Sequence, residues 1–229
     1  MTNLDQLSWH IVPDQVSLAR DAADRIVRES KCSIGVREKF KIVLAGGTTF
    51  EHTYRHLARS DSDWTRWHIY FGDERCVPRS DPLRNSHMIM NSFLSEVAVP
   101  RKQINFMRAN SNIDDAIEEY EKIVHQAVPF DLVLLGMGED GHIASLFPGM
   151  ENQAFESVVR VRNAPKEPKE RISLDYDSLN NSRRVIIVIS GNNKRKAVAS
   201  WLAGDDLPIS KITGLDGVDV YIDKDAYPE

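Results

Sequence analysis

Leu132 to Leu135 is apolar at every position, and the run stops at Gly136. A strand with one solvated face alternates apolar and polar residues. A short run without alternation marks a strand buried on both faces, as in parallel sheets covered by helices. Phe40 to Ala45, Trp67 to Phe71 and Val185 to Ile189 are apolar apart from Lys41 and His68, and each is followed by glycine or by Ser-Gly. Between them lie stretches with helical spacing. Asp14 to Ser30 carries Val16, Ala19, Ala23, Ile26 and Val27; Asp114 to Ala127 carries Ile117, Tyr120, Ile123 and Val124. Further helices are expected from about Thr49 to Arg59, near Asn85 to Glu96, and through Trp201. Ser157 to Val161, Ile172 to Tyr176 and Val218 to Ile222 read as shorter strands, and the charged, proline-bearing 165–170 stretch as a surface loop. This alternation predicts an α/β fold: a parallel or mixed sheet flanked by helices on both faces, as one domain over residues 1–229.

The net charge of −5 argues against nucleic acid or an anionic membrane as the main partner. No apolar run approaches the roughly 20 residues that cross a bilayer. The first seven residues, Met-Thr-Asn-Leu-Asp-Gln-Leu, lack the basic and apolar regions of a secretory signal. Cys32 and Cys76 are too few for a disulfide framework. A cytoplasmic protein is expected, and nothing in the chain speaks to its oligomeric state.

Polar motifs follow four of the strands at their carboxyl ends: Gly46-Gly-Thr-Thr49, Gly72-Asp-Glu-Arg75, Gly136-Met-Gly-Glu-Asp-Gly-His142 and Ser190-Gly-Asn-Asn-Lys194. In a parallel sheet those ends share one edge, where such sheets place their ligand sites. Gly46 and Gly47 lead into a helix. Backbone N–H groups there can approach an anion closely, with Thr48 or Thr49 adding a hydroxyl; the alternative is a tight turn with a threonine N-cap. Arg75 and Lys194 can neutralise a phosphate dianion, whereas Arg171 opens a strand and points either to solvent or to the site. Asp140 can fix the tautomer of His142 and shift its pKa toward the cation, leaving the imidazole as a general base for water.

Gly136 to Gly141 also matches the dinucleotide pattern G-x-G-x-x-G. Arg162, however, stands where a ribose-binding carboxylate belongs after the next strand, and Pro148 permits only a short helix. Asp140 and His142 lack a third metal ligand at recognisable spacing. Cys76 beside Arg75 is a candidate for a depressed thiol pKa, and Ser145 reads as a capping or packing serine.

Taken together, Leu44-Ala-Gly-Gly-Thr-Thr49, Phe71 to Pro78, Asp81-Pro-Leu-Arg-Asn-Ser86, Phe130 to Gly149, Arg171-Ile-Ser-Leu174, Gly191-Asn-Asn-Lys194 and Tyr221-Ile-Asp223 resemble the 6-phosphogluconolactonases that share a fold with glucosamine-6-phosphate deaminases. The resemblance spans nearly the whole chain. It implies a deaminase/phosphosugar-isomerase-like fold and hydrolysis of 6-phospho-D-glucono-1,5-lactone in the oxidative pentose phosphate pathway, with a phosphosugar lactone as small-molecule partner. His142 would be the general base and Asp140 its orienting carboxylate. Gly46, Gly47, Thr48, Arg75, Arg171 and Lys194 would hold the sugar phosphate, and Asp73 would line the sugar pocket. No metal or organic cofactor is expected. Ile143 and Phe50 depart from the usual threonine and proline. Phe147 stands where deaminases of this fold carry a glutamate, and Arg75 where they carry tyrosine. The competing readings are a deaminase-type isomerase and a phosphosugar sensor without turnover.

Overall fold

The computed structural model describes residues 7–109, 112–150 and 156–228; most of the N-terminal segment read for a secretory signal lies outside them. In chain order the elements are β1 (Leu7–Val12), α1 (Gln15–Arg37), β2 (Phe40–Leu44), α2 (Thr48–Leu57), β3 (Trp67–Phe71), β4 (Asp73–Arg75), α3 (Asn85–Ile89), α4 (Ile113–Ala127), β5 (Phe130–Gly136), β6 (Val158–Val161), β7 (Arg171–Leu174), α5 (Tyr176–Asn180), β8 (Ser182–Ile189), α6 (Arg195–Leu202) and β9 (Val218–Asp223). Six strands pair in the order β1-β9-β8-β5-β2-β3, and every pair is parallel. The expected α/β sheet is present and purely parallel. A second, antiparallel sheet of three strands, β4-β7-β6, stands apart from it.

The apolar runs occupy the interior of the main sheet. All of β5 up to Leu135 is buried, as is all of β9, so both faces of the sheet are covered. Asp131 is the one charge inside β5, and it is paired: its carboxylate accepts from Arg37 Nε at 2.7 Å and from the Lys41 backbone N–H at 2.8 Å. That pairing removes the penalty a lone buried carboxylate would carry.

Several expectations need adjustment. The first helix extends to Arg37, where Glu38 turns left-handed at φ 58°; Val16 is exposed, and Leu18 and Ala22 fill the core instead. The expected Asn85–Glu96 helix is one α turn followed by a π turn over Met90–Leu94. The strand expected to run to Tyr176 stops at Leu174, because Asp175 caps α5 through the Ser178 N–H. β1, an edge strand with one buried residue, is an addition to the expected strands, although Leu7, Trp9 and Ile11 alternate with Ser8 and His10. The described residues 137–150 hold no helix and run through turns. Ser145 therefore caps nothing; it is fully buried and donates to Asp73 Oδ2 at 2.6 Å.

The strand order creates the site. From β2 the chain steps outward to β3, and it later returns to place β5 on the other side of β2. Between β2 and β5 the winding reverses, and a crevice opens beyond the carboxyl ends of diverging connections.

Candidate active site

A cavity of about 520 Å³ opens at this edge, large enough for a phosphosugar. Of the nine residues singled out from the sequence, Gly46, Gly47, Thr48, Asp73, Arg75, His142, Arg171 and Lys194 line it. Asp140 is not among the lining residues and is linked to the cavity by its contact with His142 Nδ1. The structure also adds wall residues that the sequence reading passed over: Asn85, Glu139, Lys166 and Asn193. Asn85 sat in a quoted motif without a role, while Lys166 sat in the surface loop, which folds its exposed side chain to the cavity rim.

Each wall has a local cause. α2 begins at Gly47, which adopts φ 102° and offers no side-chain cap. The threonine N-cap alternative therefore does not hold: Thr48 is the first helical residue, and the first-turn N–H groups remain available to an anion. A Cβ on Gly46 would sit 2.0 Å from Asn85 Oδ1, so glycine is needed there for close packing. Asn85 in turn donates to Asp73 Oδ1 at 2.8 Å, and with Ser145 on Oδ2 both carboxylate oxygens of buried Asp73 are held. Lys194 closes a short 3-10 turn, Asn192–Lys194, just before α6.

Arg75 and Arg171 come from the small sheet and lie directly opposite each other in the β4–β7 ladder. Like charges facing across an antiparallel pair repel. Arg171 is buried, and its guanidinium donates to the carbonyls of Pro168 at 3.0 Å and Lys166 at 2.8 Å. Its orientation, open in the sequence, is toward the site. Burial and the neighbouring Arg75 depress its pKa, against the pull of Asp73. The Lys194 ammonium is likewise depressed, chiefly by burial, with Lys166 adding to the shift and Glu139 opposing it. The cavity wall brings Arg75, Lys166, Arg171 and Lys194 together with Asp73, Glu139, Asp223 and Asp225, and the depressed pKa values of Arg171 and Lys194 are ones a bound anion would raise.

Asp140 and His142 form a hydrogen-bonded pair at one corner of the cavity. His142 Nδ1 lies 2.5 Å from Asp140 Oδ1, and the backbone N–H of His142 donates to the same oxygen at 3.2 Å. With Nδ1–H donated to the carboxylate, the Nε2 lone pair is left free, and it has no protein partner among the described residues. The turn that sets this geometry depends on Gly141 at φ 82° and on the Gly138 N–H bonded to the His142 carbonyl at 2.8 Å. Phe147 packs against the imidazole with centroids 4.5 Å apart, and the Arg171 guanidinium also lies over the Phe147 ring, 5.6 Å from its centroid.

Two pKa expectations are corrected. Burial depresses the His142 pKa below its ordinary value; Asp140 pulls it upward but does not prevail. Burial pushes the Asp140 carboxyl up, yet the charge and hydrogen bonds of His142 outweigh that and leave it below the usual range. The resting pair at neutral pH is thus carboxylate and neutral imidazole. The Cys76 thiol is not activated: burial and Glu170 push it up to about 11.

Comparison with known proteins follows the same lines. The family of glucosamine-6-phosphate isomerases/6-phosphogluconolactonase matches residues 13–220. The 6-phosphogluconolactonase of Mycobacterium leprae (strain TN) is 33% identical over 238 residues, covering 96% of each chain. A crystal structure of 6-phosphogluconolactonase from Thermotoga maritima superposes with a TM-score of 0.89 at 27% identity, over 95% of this chain and 100% of the other. A monomeric glucosamine-6-phosphate deaminase superposes with a TM-score of 0.82 at 25% identity, over 96% of this chain and 98% of the other.

Proposed function

The chain belongs to the glucosamine-6-phosphate isomerase/6-phosphogluconolactonase family, and we propose that within it the protein hydrolyses 6-phospho-D-glucono-1,5-lactone to 6-phospho-D-gluconate, with His142 as the general base. The curated relative and the Thermotoga maritima structure bear the lactonase name. The observation that carries the choice between the two activities of the family is Phe147. An aromatic side chain packs against the histidine where a deaminase needs a carboxylate. Isomerisation with ring opening needs acid groups to move protons between carbons, whereas lactone hydrolysis needs one base, one water and a stabilised oxyanion.

In this reading the Nε2 of His142 takes a proton from water as the water oxygen attacks the lactone carbonyl carbon. The carbonyl becomes a tetrahedral oxyanion. When it collapses, the bond to the ring oxygen breaks, and the imidazolium returns its proton to that oxygen. Asp140 remains ionised throughout; it fixes the tautomer and stabilises the transient cation. Arg75, Arg171, Lys194 and the first turn of α2 hold the phosphate, and Asp73, fixed by Asn85 and Ser145, faces the sugar hydroxyls.

Two assays on the purified protein decide the reaction type. Freshly prepared lactone should yield a proton-release rate far above spontaneous hydrolysis, and glucosamine 6-phosphate should yield no ammonia. Ammonia release would return the deaminase reading, and phosphosugar binding without turnover on the lactone would favour a sensor.

The phosphate assignment has its own test. Arg75→Ala and Lys194→Ala should each lower kcat/KM for the phosphorylated lactone by roughly tenfold to a hundredfold, the worth of a charge-assisted hydrogen bond. Turnover of unphosphorylated gluconolactone should change little. Equal losses on both substrates would place these side chains away from the phosphate.

A further inference from the structure

A second cavity, of about 580 Å³, lies beside the first and shares none of its lining residues. Its wall includes Arg79, Arg84, His87, Arg101, Phe106 and Arg108, and no aspartate or glutamate lines it. In a chain of net charge −5, four guanidinium groups around one concavity run against the overall balance.

The floor is built and rigid. Buried Arg84 donates through Nε to Glu74 Oε2 at 3.2 Å and to Ser86 Oγ at 3.2 Å, and through its terminal nitrogens to the carbonyls of Val77 at 3.2 Å and Met107 at 2.8 Å. Glu74 is fully committed beneath it, accepting also from the backbone N–H groups of Arg75, Asn85 and Ser86. Arg108 has Glu119 at 3.3 Å, and His87 contacts Asn91 at 3.0 Å. Arg79 and Arg101 differ: neither forms an ion pair among the described residues. Both instead lie over the ring of Phe106, at 5.9 and 5.2 Å from its centroid, while that ring stacks on Phe71 at 5.3 Å. The aromatic holds two exposed guanidinium groups at the rim without neutralising them.

We propose that this cavity is a second anion site, separate from the lactone site, that takes a small molecule carrying two or more phosphate groups. Guanidinium forks bind phosphate oxygens in pairs, Arg79 and Arg101 present two such forks without carboxylate partners among the described residues, and a cavity of about 580 Å³ has room for more than one phosphate group. The concave shape suits a small molecule, and the acidic remainder of the surface disfavours nucleic acid.

Calorimetric titration with inorganic tripolyphosphate and, separately, with ATP at low salt tests the assignment in three proteins: wild type, the double variant R79A/R101A, and Arg171→Ala. Arg79 and Arg101 are exposed and form no ion pair among the described residues, so the double variant should fold and hydrolyse lactone as wild type does. Tripolyphosphate should bind the wild type, with affinity falling tenfold or more in R79A/R101A and persisting in Arg171→Ala. Tighter binding of ATP than of tripolyphosphate would identify a nucleotide as the occupant, and equal binding a phosphate chain alone. The proposal fails if neither probe binds, if R79A/R101A binds both as wild type does, or if only Arg171→Ala loses binding. Capture of an acidic peptide with no binding of either probe would also overturn it.

Discussion

Replacing His142 with alanine should lower turnover of 6-phosphogluconolactone by roughly 10²–10⁴-fold, the usual contribution of a positioned general base. The side chain is half-buried at the cavity wall and packs on Phe147, and its loss removes no part of the main sheet's core. The variant should therefore melt cooperatively near the wild-type temperature. Near-normal turnover in the folded variant, once spontaneous hydrolysis is subtracted, would end the general-base assignment. The pH profile gives a second reading of the same residue. Only the neutral imidazole accepts a proton, so activity falls as pH drops through the His142 pKa. Because burial disfavours the cation more than Asp140 favours it, that fall should lie below the ordinary histidine value of about 6.5. Asp140→Asn removes the charge that supports the cation. Its inflection should move to lower pH still, and its plateau should drop because the tautomer is no longer fixed. An inflection that moved upward in Asp140→Asn would contradict this electrostatic account.

Gly138→Ala should be nearly as damaging to catalysis while costing little stability. A Cβ at this position would sit 2.0 Å from His142 Nδ1, 2.2 Å from its Cε1 and 2.7 Å from Asp140 Oδ1. All three are closer than non-bonded atoms approach, so the imidazole and the carboxylate must move. Phe147 packs against the imidazole and limits where it can go. The displaced atoms are side-chain ends rather than backbone, and Gly138 does not lie in the left-handed region; the fold accommodates the methyl and the pair does not. A displacement of about 1 Å at a catalytic group can cost on the order of 10²-fold in rate. Measured kcat should fall by about that factor with a small change in Tm. An unimpaired kcat would show that the observed Asp140–His142 contact is not the productive one.

Much of this was present in local pattern. Unbroken apolar runs reported strands buried on both faces, because every side chain of such a strand meets the core whichever way it points. The glycines after those runs and the Asp140-Gly-His142 spacing marked one edge of the sheet as chemically equipped, since parallel strands bring their carboxyl ends together. Residues of opposite character stayed hidden. Asp73-Glu-Arg75 has no apolar pattern and reads as a loop, yet it forms β4 by pairing with Arg171–Leu174. That partner lies far along the chain, and nothing local encodes it. The pairing sets Arg75 against Arg171 and turns Arg171 into the cavity, a choice that the sequence left open. The direction of the His142 pKa shift was misread for a related reason. The neighbouring carboxylate is visible in the sequence, whereas the desolvation that outweighs it is the sum of all the atoms packed around the imidazole. Periodicity and spacing thus determined which segments are buried and which strand ends carry the polar motifs. Only the tertiary structure decided the β2–β5 reversal that opens the crevice, the facing arginines and the protonation state of His142, because each arises from contacts between segments that do not specify one another locally.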